Sequence, residues 1–258
     1  MGEERSRLTA AFPHDRAALI TYLMAGYPDR ATSLAALRAA AEAGADIIEL
    51  GVPYGDPLAD GPVIARAAKI AREQPSGFGL TEAIALAAEF IAGAGSPPVV
   101  LMTYLNPLMR YGLARAAEAM RAAGIAGVIV PDMPPEAAGA WLAASEGIDT
   151  VMLAAPTSTD ERLAVIGAAS AGFVYCVSTT GTTGERDTLA DGIGPLVDRI
   201  RANTRLPVAV GFGVSTPAHA AEVGERADGV IVGSAVVRRQ DDPGAVGAFV
   251  AGLRAALQ

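Results

Sequence analysis

Ile47-Ile48-Glu49-Leu50-Gly51-Val52-Pro53-Tyr54-Gly55-Asp56-Pro57-Leu58-Ala59-Asp60-Gly61-Pro62 is the stretch around which the rest of the chain arranges itself. A short apolar strand ends on a carboxylate and breaks into a loop punctuated by Gly and Pro. Gly opens backbone angles closed to other residues and Pro fixes φ, so a loop this rich in both has a defined shape. A second carboxylate, Asp60, stands immediately before Gly61-Pro62. Two acids at a strand mouth divide acid and base work when their surroundings hold them in different protonation states. The plainer alternative is a solvated strand end at Glu49 and a helix N-cap at Asp60.

Strand, loop and helix make one βα unit, and the same pattern recurs along the chain. Strand-like runs are Leu19–Met24, Asp46–Leu50, Val99–Met102, Gly127–Val130, Thr150–Ala154, Phe173–Val177, Val208–Val210 and Val230–Val232. They are Val/Ile-rich and continuously apolar, as strands buried on both faces must be. Between them lie segments with helical spacing, such as Leu34, Leu37 and Ala41, or Leu163, Ile166 and Ala169. Helix starts are signalled by Ser158-Thr159-Asp160-Glu161 as a capping box, by Ser215-Thr216-Pro217 and by Asp242-Pro243. Eight such units predict an α/β fold, a single (β/α)8 TIM barrel with extra helices, filling 1–258 as one domain. An open doubly wound sheet is the alternative, but its early Gly-rich fingerprint is missing.

The interval from Asp46 to Val99 is the longest between strand starts. It holds the Asp60 loop and two helical segments, Val63–Arg72 and Leu80–Ala92. Barrels keep their chemistry in such extended loops at the C-terminal ends of strands. Arg5–Phe12 is predicted as an additional helix over the opposite mouth.

Composition narrows the function. The 258 residues are 51% hydrophobic and 19% charged, which suits a globule rather than a disordered chain. A net charge of −8 argues against a nucleic-acid surface, which needs clustered cations. The uncharged run from Phe90 to Met109 is interrupted by Gly93, Gly95, Pro97, Pro98, Asn106 and Pro107, so no membrane span is expected. No sustained apolar segment follows the first residues, and a cytoplasmic location is the simplest reading. One cysteine, Cys176, forms no intrachain disulfide and reads as core.

On a barrel the strand ends converge, and reading them off collects a site. Tyr22 follows from the first strand, Glu49 and Asp60 from the second, Tyr104 and Asn106 from the third, and Asp132 from the fourth. The sixth brings Tyr175 and the Gly/Thr-rich stretch Thr179–Arg186, a candidate lid with Gly181 and Gly184 at its bends. Gly211-Phe212-Gly213 and Gly233-Ser234 resemble a phosphate cradle, with a short helix after the last strand aiming its positive end inward. Tyr22, Met102, Tyr104, Ile129 and Phe212 would line an apolar slot, so a flat aromatic with a phosphate tail fits the inventory. The one lysine, Lys69, lies on a helix, and the two histidines, His14 and His219, are away from every strand mouth. Schiff-base chemistry, a site for pyridoxal phosphate (PLP) and a His-bound metal are thereby disfavoured, and no metal is expected.

Glu-Leu-Gly-x-Pro-Tyr-x-Asp-Pro-Leu-Ala-Asp-Gly-Pro at 49–62 resembles the signature of the tryptophan synthase alpha chain family. Further motifs agree in order: Leu101–Asn106, Val130–Pro134, Ser178–Gly184, Gly211–Ser215 and Val232–Ala235. The resemblance implies retro-aldol cleavage of indole-3-glycerol phosphate to indole and glyceraldehyde 3-phosphate, with Glu49 and Asp60 as the catalytic pair. It places Thr183 in the closing lid, Tyr175 near the ligand, and Gly184, Gly213 and Ser234 on the phosphate. It also implies a beta-chain partner that carries PLP, this chain having no cofactor, in an alpha2beta2 heterotetramer. Pro53, Asp56, Asn106, Pro107, Asp132 and Pro134 match surfaces that meet that partner. Two positions depart from the pattern: Thr182 stands where Val is common, and Gly55 where Ser or Thr is usual. Gly55 is expected either to loosen its loop or to adopt positive φ. A stand-alone lyase, a silent activating subunit and a phosphosugar isomerase remain alternatives, the last two disfavoured by the intact acids and the missing mouth histidine.

Overall fold

Among the described residues, nine parallel strand segments form the sheet: β1 (Ala18–Met24), β2 (Ile47–Gly51), β3 (Val99–Met102), β4 (Gly127–Ile129), β5 (Asp149–Val151), β6 (Leu153–Ala154), β7 (Val174–Val177), β8 (Val208–Gly211) and β9 (Gly229–Val232). The computed structural model describes residues 6–58, 60–177, 193–211 and 213–258. Strand order is β5-β4-β3-β2-β1-β9-β8-β7-β6. β5 pairs with β4 and β6 with β7, yet β5 and β6 are one run of chain divided at Met152. The two ends of the sheet therefore meet in a single segment, and the barrel has eight positions. The expected fifth strand is split because barrel strands are staggered. Its lower half faces β4 and its upper half faces β7.

Strand parity divides the apolar residues into two cores. Ile20, Tyr22, Ile47, Val100, Ile129, Val151, Tyr175, Ala209 and Ile231 belong to the barrel interior. Leu19, Leu23, Ile48, Leu50, Leu101, Val128, Val174, Cys176, Val210 and Val232 belong to the shell beneath the helices. Successive side chains point to opposite faces, so a strand with a core on each side is mostly apolar on both. Cys176 is buried in the outer shell and burial pushes its thiol up to about 12, as a core residue requires.

The N-terminal helix is Arg7–Ala10, shorter than the expected Arg5–Phe12. It closes the N-terminal end of the barrel as expected. Leu8 and Phe12 join the interior core, and the Phe12 ring centroid lies 5.5 Å from that of Phe173. Thr9 Oγ1 donates to Gly172 O at 2.8 Å and Arg7 to Gly124 O at 2.8 Å. At the same end Asp46 accepts from Leu19 N, Arg16 and Arg254, tying β1 and β2 to the last helix, Pro243–Ala256.

Helix starts follow the sequence signals, with one shift. Thr216 and Asp242 cap the helices Pro217–Gly224 and Pro243–Ala256, each with Pro in the first turn. The helix Asp160–Ala169 is capped by Thr159, not Ser158, whose hydroxyl accepts instead from Ala155 N within its own loop. The segment after β2 supplies Pro62–Arg72 and Leu80–Ile91, close to the expected bounds. No helix among the described residues is long and apolar enough to cross a membrane.

Candidate active site

Glu49 occupies an inward position of β2, opposite Tyr22 of β1 and Val100 of β3. Only 1% of it is exposed, and neither carboxylate oxygen has a hydrogen-bond partner among the described residues. A carboxylate so placed loses its hydration with nothing to replace it. Burial, then the charge of Asp60, raises its pKa from 4.5 to about 8. The solvated strand end weighed for Glu49 is thus excluded.

Asp60 does not cap a helix either. The N-cap of Pro62–Arg72 is Gly61, which makes no side-chain cap bond. Asp60 instead accepts from the Tyr104 hydroxyl at 3.2 Å. Burial raises its pKa and the Tyr104 bond pulls it back, leaving it at about 6. The Tyr22 phenol is held well above its ordinary range by burial and by the charges of Asp60 and Glu49. The Tyr175 phenol is likewise raised, by burial and then by Glu49. Near neutral pH the cluster therefore holds a protonated Glu49, an ionised Asp60 and neutral phenols. One residue can give a proton while its neighbour stabilises positive charge.

Two glycines make room for the tyrosines. A Cβ on Gly51 would lie 2.0 Å from the Tyr22 hydroxyl oxygen, and one on Gly211 2.2 Å from that of Tyr175. The register relation is the same in both pairs. Tyr22 is opposite Glu49 and Met24 opposite Gly51, as Tyr175 is opposite Ala209 and Val177 opposite Gly211. Each ring thus leans across the inward position at the end of the next strand. Period-2 counting from Glu49 places Gly51 on the interior, but the need for a glycine there came from the ring beside it, which sequence does not reveal. Met102 and Ile129 are register partners on the inner faces of β3 and β4, both buried.

Gly211 ends β8 with Gly213 just beyond it, and Gly233 and Ser234 follow the end of β9, the strand paired with β8. Gly213 has φ 88°, a conformation that favours glycine. Gly233 begins the short helix Ser234–Val237, its carbonyl accepting from Val236 N and Val237 N. The position of its missing Cβ is 3.7 Å from Tyr22 Cβ, so this corner adjoins the aromatic slot. Thr183, Gly184, the Thr179–Arg186 stretch and Phe212 lie outside the described residues.

The loop from Pro53 to Leu58 borders the acids. Tyr54, given no role from sequence, stacks on Tyr104 with centroids 5.0 Å apart and planes at 29°. Gly55 is not in the left-handed region, which removes the positive-φ explanation. A Cβ there would meet the Arg72 guanidinium at 2.9 Å, so an arginine from the end of the helix Pro62–Arg72 covers the loop where a hydroxyl side chain would stand. Asp56, Asn106 and Pro134 are exposed, Pro107 half-buried and Pro53 buried. Asp132 is half-buried, and its Oδ1 accepts from Leu105 N at 2.9 Å, pinning the start of the helix Leu105–Tyr111. Lys69 is exposed beside Glu73 at 3.8 Å. The ionisable side chains described in the site are carboxylates and phenols.

Comparison with known proteins gives one answer. The family model of the tryptophan synthase alpha chain matches residues 8–246. The tryptophan synthase alpha chain of Mycolicibacterium paratuberculosis is 49% identical over 247 residues, covering 93% of this chain and 90% of its own. That of Chloroflexus aurantiacus is 46% identical over 241 residues, covering 93% and 89%. Among solved structures, a chain of Mycobacterium tuberculosis tryptophan synthase superposes with a TM-score of 0.91 at 44% identity, covering 98% of this chain and 99% of its own. The alpha subunit from Legionella pneumophila gives 0.86 at 31% identity, with 98% of each chain covered.

Proposed function

Because the chain belongs to the tryptophan synthase alpha chain family and is a lyase that cleaves indole-3-glycerol phosphate in tryptophan biosynthesis, we propose that Glu49 and Asp60 perform the cleavage as an acid and a charge stabiliser. The carrying observation is the carboxylate pair at one strand mouth, Glu49 buried with no hydrogen-bond partner among the described residues and Asp60 half-buried on the Tyr104 hydroxyl. Protonated Glu49 delivers its proton to indole C3, which becomes tetrahedral. Asp60 accepts the indole N–H and stabilises the positive charge that develops on the ring. Glu49, now a carboxylate, takes the proton of the side-chain hydroxyl. The bond from C3 to the hydroxyl-bearing carbon then breaks, its electrons restoring the indole ring as the aldehyde forms. One proton enters and one leaves, so the enzyme returns to its starting state.

Tyr22, Met102, Tyr104, Ile129, Phe212 and Tyr175 are assigned to the indole slot, with Thr183 in the lid. Gly184, Gly213, Gly233 and Ser234 are assigned to the phosphate, whose charge suits backbone N–H groups at glycine turns. The residues 1–258 act as one domain without a cofactor of their own, in the cytoplasm. The partner is a beta chain carrying PLP, in an alpha2beta2 assembly. Asp56, Asn106 and Pro134 are exposed, as are Leu58, 74%, and Met109, 63%, and this apolar and polar mixture on the segments after β2, β3 and β4 supports a partner face there.

The test is indole formation by the purified chain from indole-3-glycerol phosphate, with and without a beta chain. Glu49→Gln keeps the shape but carries no mobile proton, and turnover is expected to fall by ~10²–10⁴. Asp60→Asn is expected to lose turnover as well, since the amide brings no charge. Near-normal indole formation by either variant would remove that residue from the mechanism.

A further inference from the structure

A line of contacts joins the molecular surface to Asp60. Asn106, exposed, donates through Nδ2 to the Tyr54 hydroxyl at 3.1 Å. The half-buried Tyr54 ring lies on the Tyr104 ring. Tyr104, buried, donates to Asp60 Oδ1 at 3.2 Å. The backbone beside Tyr104 is held separately, by Asp132 on Leu105 N. On the side chain, Tyr54 covers a face of the Tyr104 ring. We propose that Tyr54 is a positioning residue for Asp60, anchored at the surface by Asn106 and acting through the ring and hydroxyl of Tyr104. The inference rests on the role given to Asp60 above.

The ionisable groups coupled to Asp60 are Glu49 from β2 and Tyr22 from β1, both raised by burial and then by its charge, and Tyr104 after β3, whose hydroxyl donates to it. Of these, the Tyr104 hydroxyl favours the ionised form by hydrogen-bonding to it, against burial. When the Tyr104 ring is loosened, this bond weakens and the Asp60 carboxyl rises. The acid limb of activity then moves to higher pH, a change that generalised loss of packing would not produce.

The experiment measures kcat and KM against pH for full-length Tyr54→Leu, Tyr54→Phe, Tyr104→Phe and the Tyr54→Leu/Tyr104→Phe double variant, with Asp60→Asn in parallel. Tyr54→Leu is expected to lower kcat several-fold with little change in KM and to move the acid limb upward. Tyr54→Phe keeps the stacked ring and is expected to restore most of the wild-type profile. The double variant is expected to be no worse than the more impaired single variant, because Tyr54 acts through Tyr104. A folded Tyr54→Leu with a wild-type limb, an effect confined to KM, or additive losses would overturn the proposal. If Tyr54→Leu does not fold, Tyr54→Met carries the same comparison. Turnover retained by Asp60→Asn would sink both this inference and the role of Asp60. Turnover lost in Asp60→Asn with a silent Tyr54→Leu would sink the inference alone.

Discussion

Glu49 binds its proton more tightly in the folded chain, at about 8, than its ordinary 4.5. Between those values the native state holds more protons than the unfolded one, so stability falls as pH rises through the window. The loss is complete above about 8, where the buried carboxylate is charged in the native chain as well. Glu49→Gln removes the ionisation, and is expected to raise the melting temperature relative to wild type at pH 8.5 far more than at pH 5. Each kcal/mol corresponds to roughly 2–4 °C for a chain of this size. Equal differences at the two pH values, by scanning calorimetry, would show that Glu49 is not buried in its charged form. Both acids were visible in the sequence, but residue type alone left a solvated strand end and an ordinary helix N-cap open, and it was the family signature at 49–62 that marked them as a pair. What separates their protonation was not visible. The burial of Glu49 comes from interior residues on other strands, and the restraint on Asp60 from Tyr104 across the strand ends. Tyr54 went unread for a related reason: an aromatic residue in a loop acquires meaning only from the ring it touches.

At the scale of elements, the ends of β1 and β2 depend on Tyr22 lying over Gly51. Gly51→Ala would place a methyl 2.0 Å from the Tyr22 hydroxyl and 2.4 Å from its ring carbon. Overpacking of this kind costs about 1–3 kcal/mol. Gly51→Ala is expected to lower both the melting temperature and indole formation, and Tyr22→Leu in the same chain to recover part of the stability. Denaturation of the two single variants and the double variant measures this, and strictly additive losses would refute the contact. The loop after β2 gives a second case. Arg72 covers Gly55, so Gly55→Ser must displace the guanidinium before its hydroxyl can help. We expect Gly55→Ser to leave the activity of the isolated chain unimproved, and Arg72→Ala to lower it more when alone than with a beta chain. Steady-state assays in both conditions decide this, and a Gly55→Ser chain faster than wild type would overturn the role of Arg72. The departure at Gly55 could be seen in sequence, whereas its occupant lies on a helix many residues away and could not.

The barrel as a whole was the most legible feature, because eight runs buried on both faces leave little choice of architecture. Interior residues such as Ile20, Ile47 and Ile231, and shell residues such as Leu19, Ile48 and Val230, are equally apolar in sequence. Only the closure of the ring assigns them to different cores. Closure also explains the split at Met152, since stagger is a property of the whole ring rather than of Thr150–Ala154. The same closure brings β1, β2, β3 and the loop after β2 to one mouth, where the two acids face different surroundings. Their division of labour is tested most directly by kcat/KM for indole-3-glycerol phosphate cleavage across roughly pH 5 to 9.5, which reports the ionisations of the free enzyme. A bell is expected, with its acid limb near 6 from Asp60 and its alkaline limb near 8 from Glu49. A rate that keeps rising beyond pH 8 would mean that Glu49 enters the reaction as a base, contrary to the proton delivery proposed here.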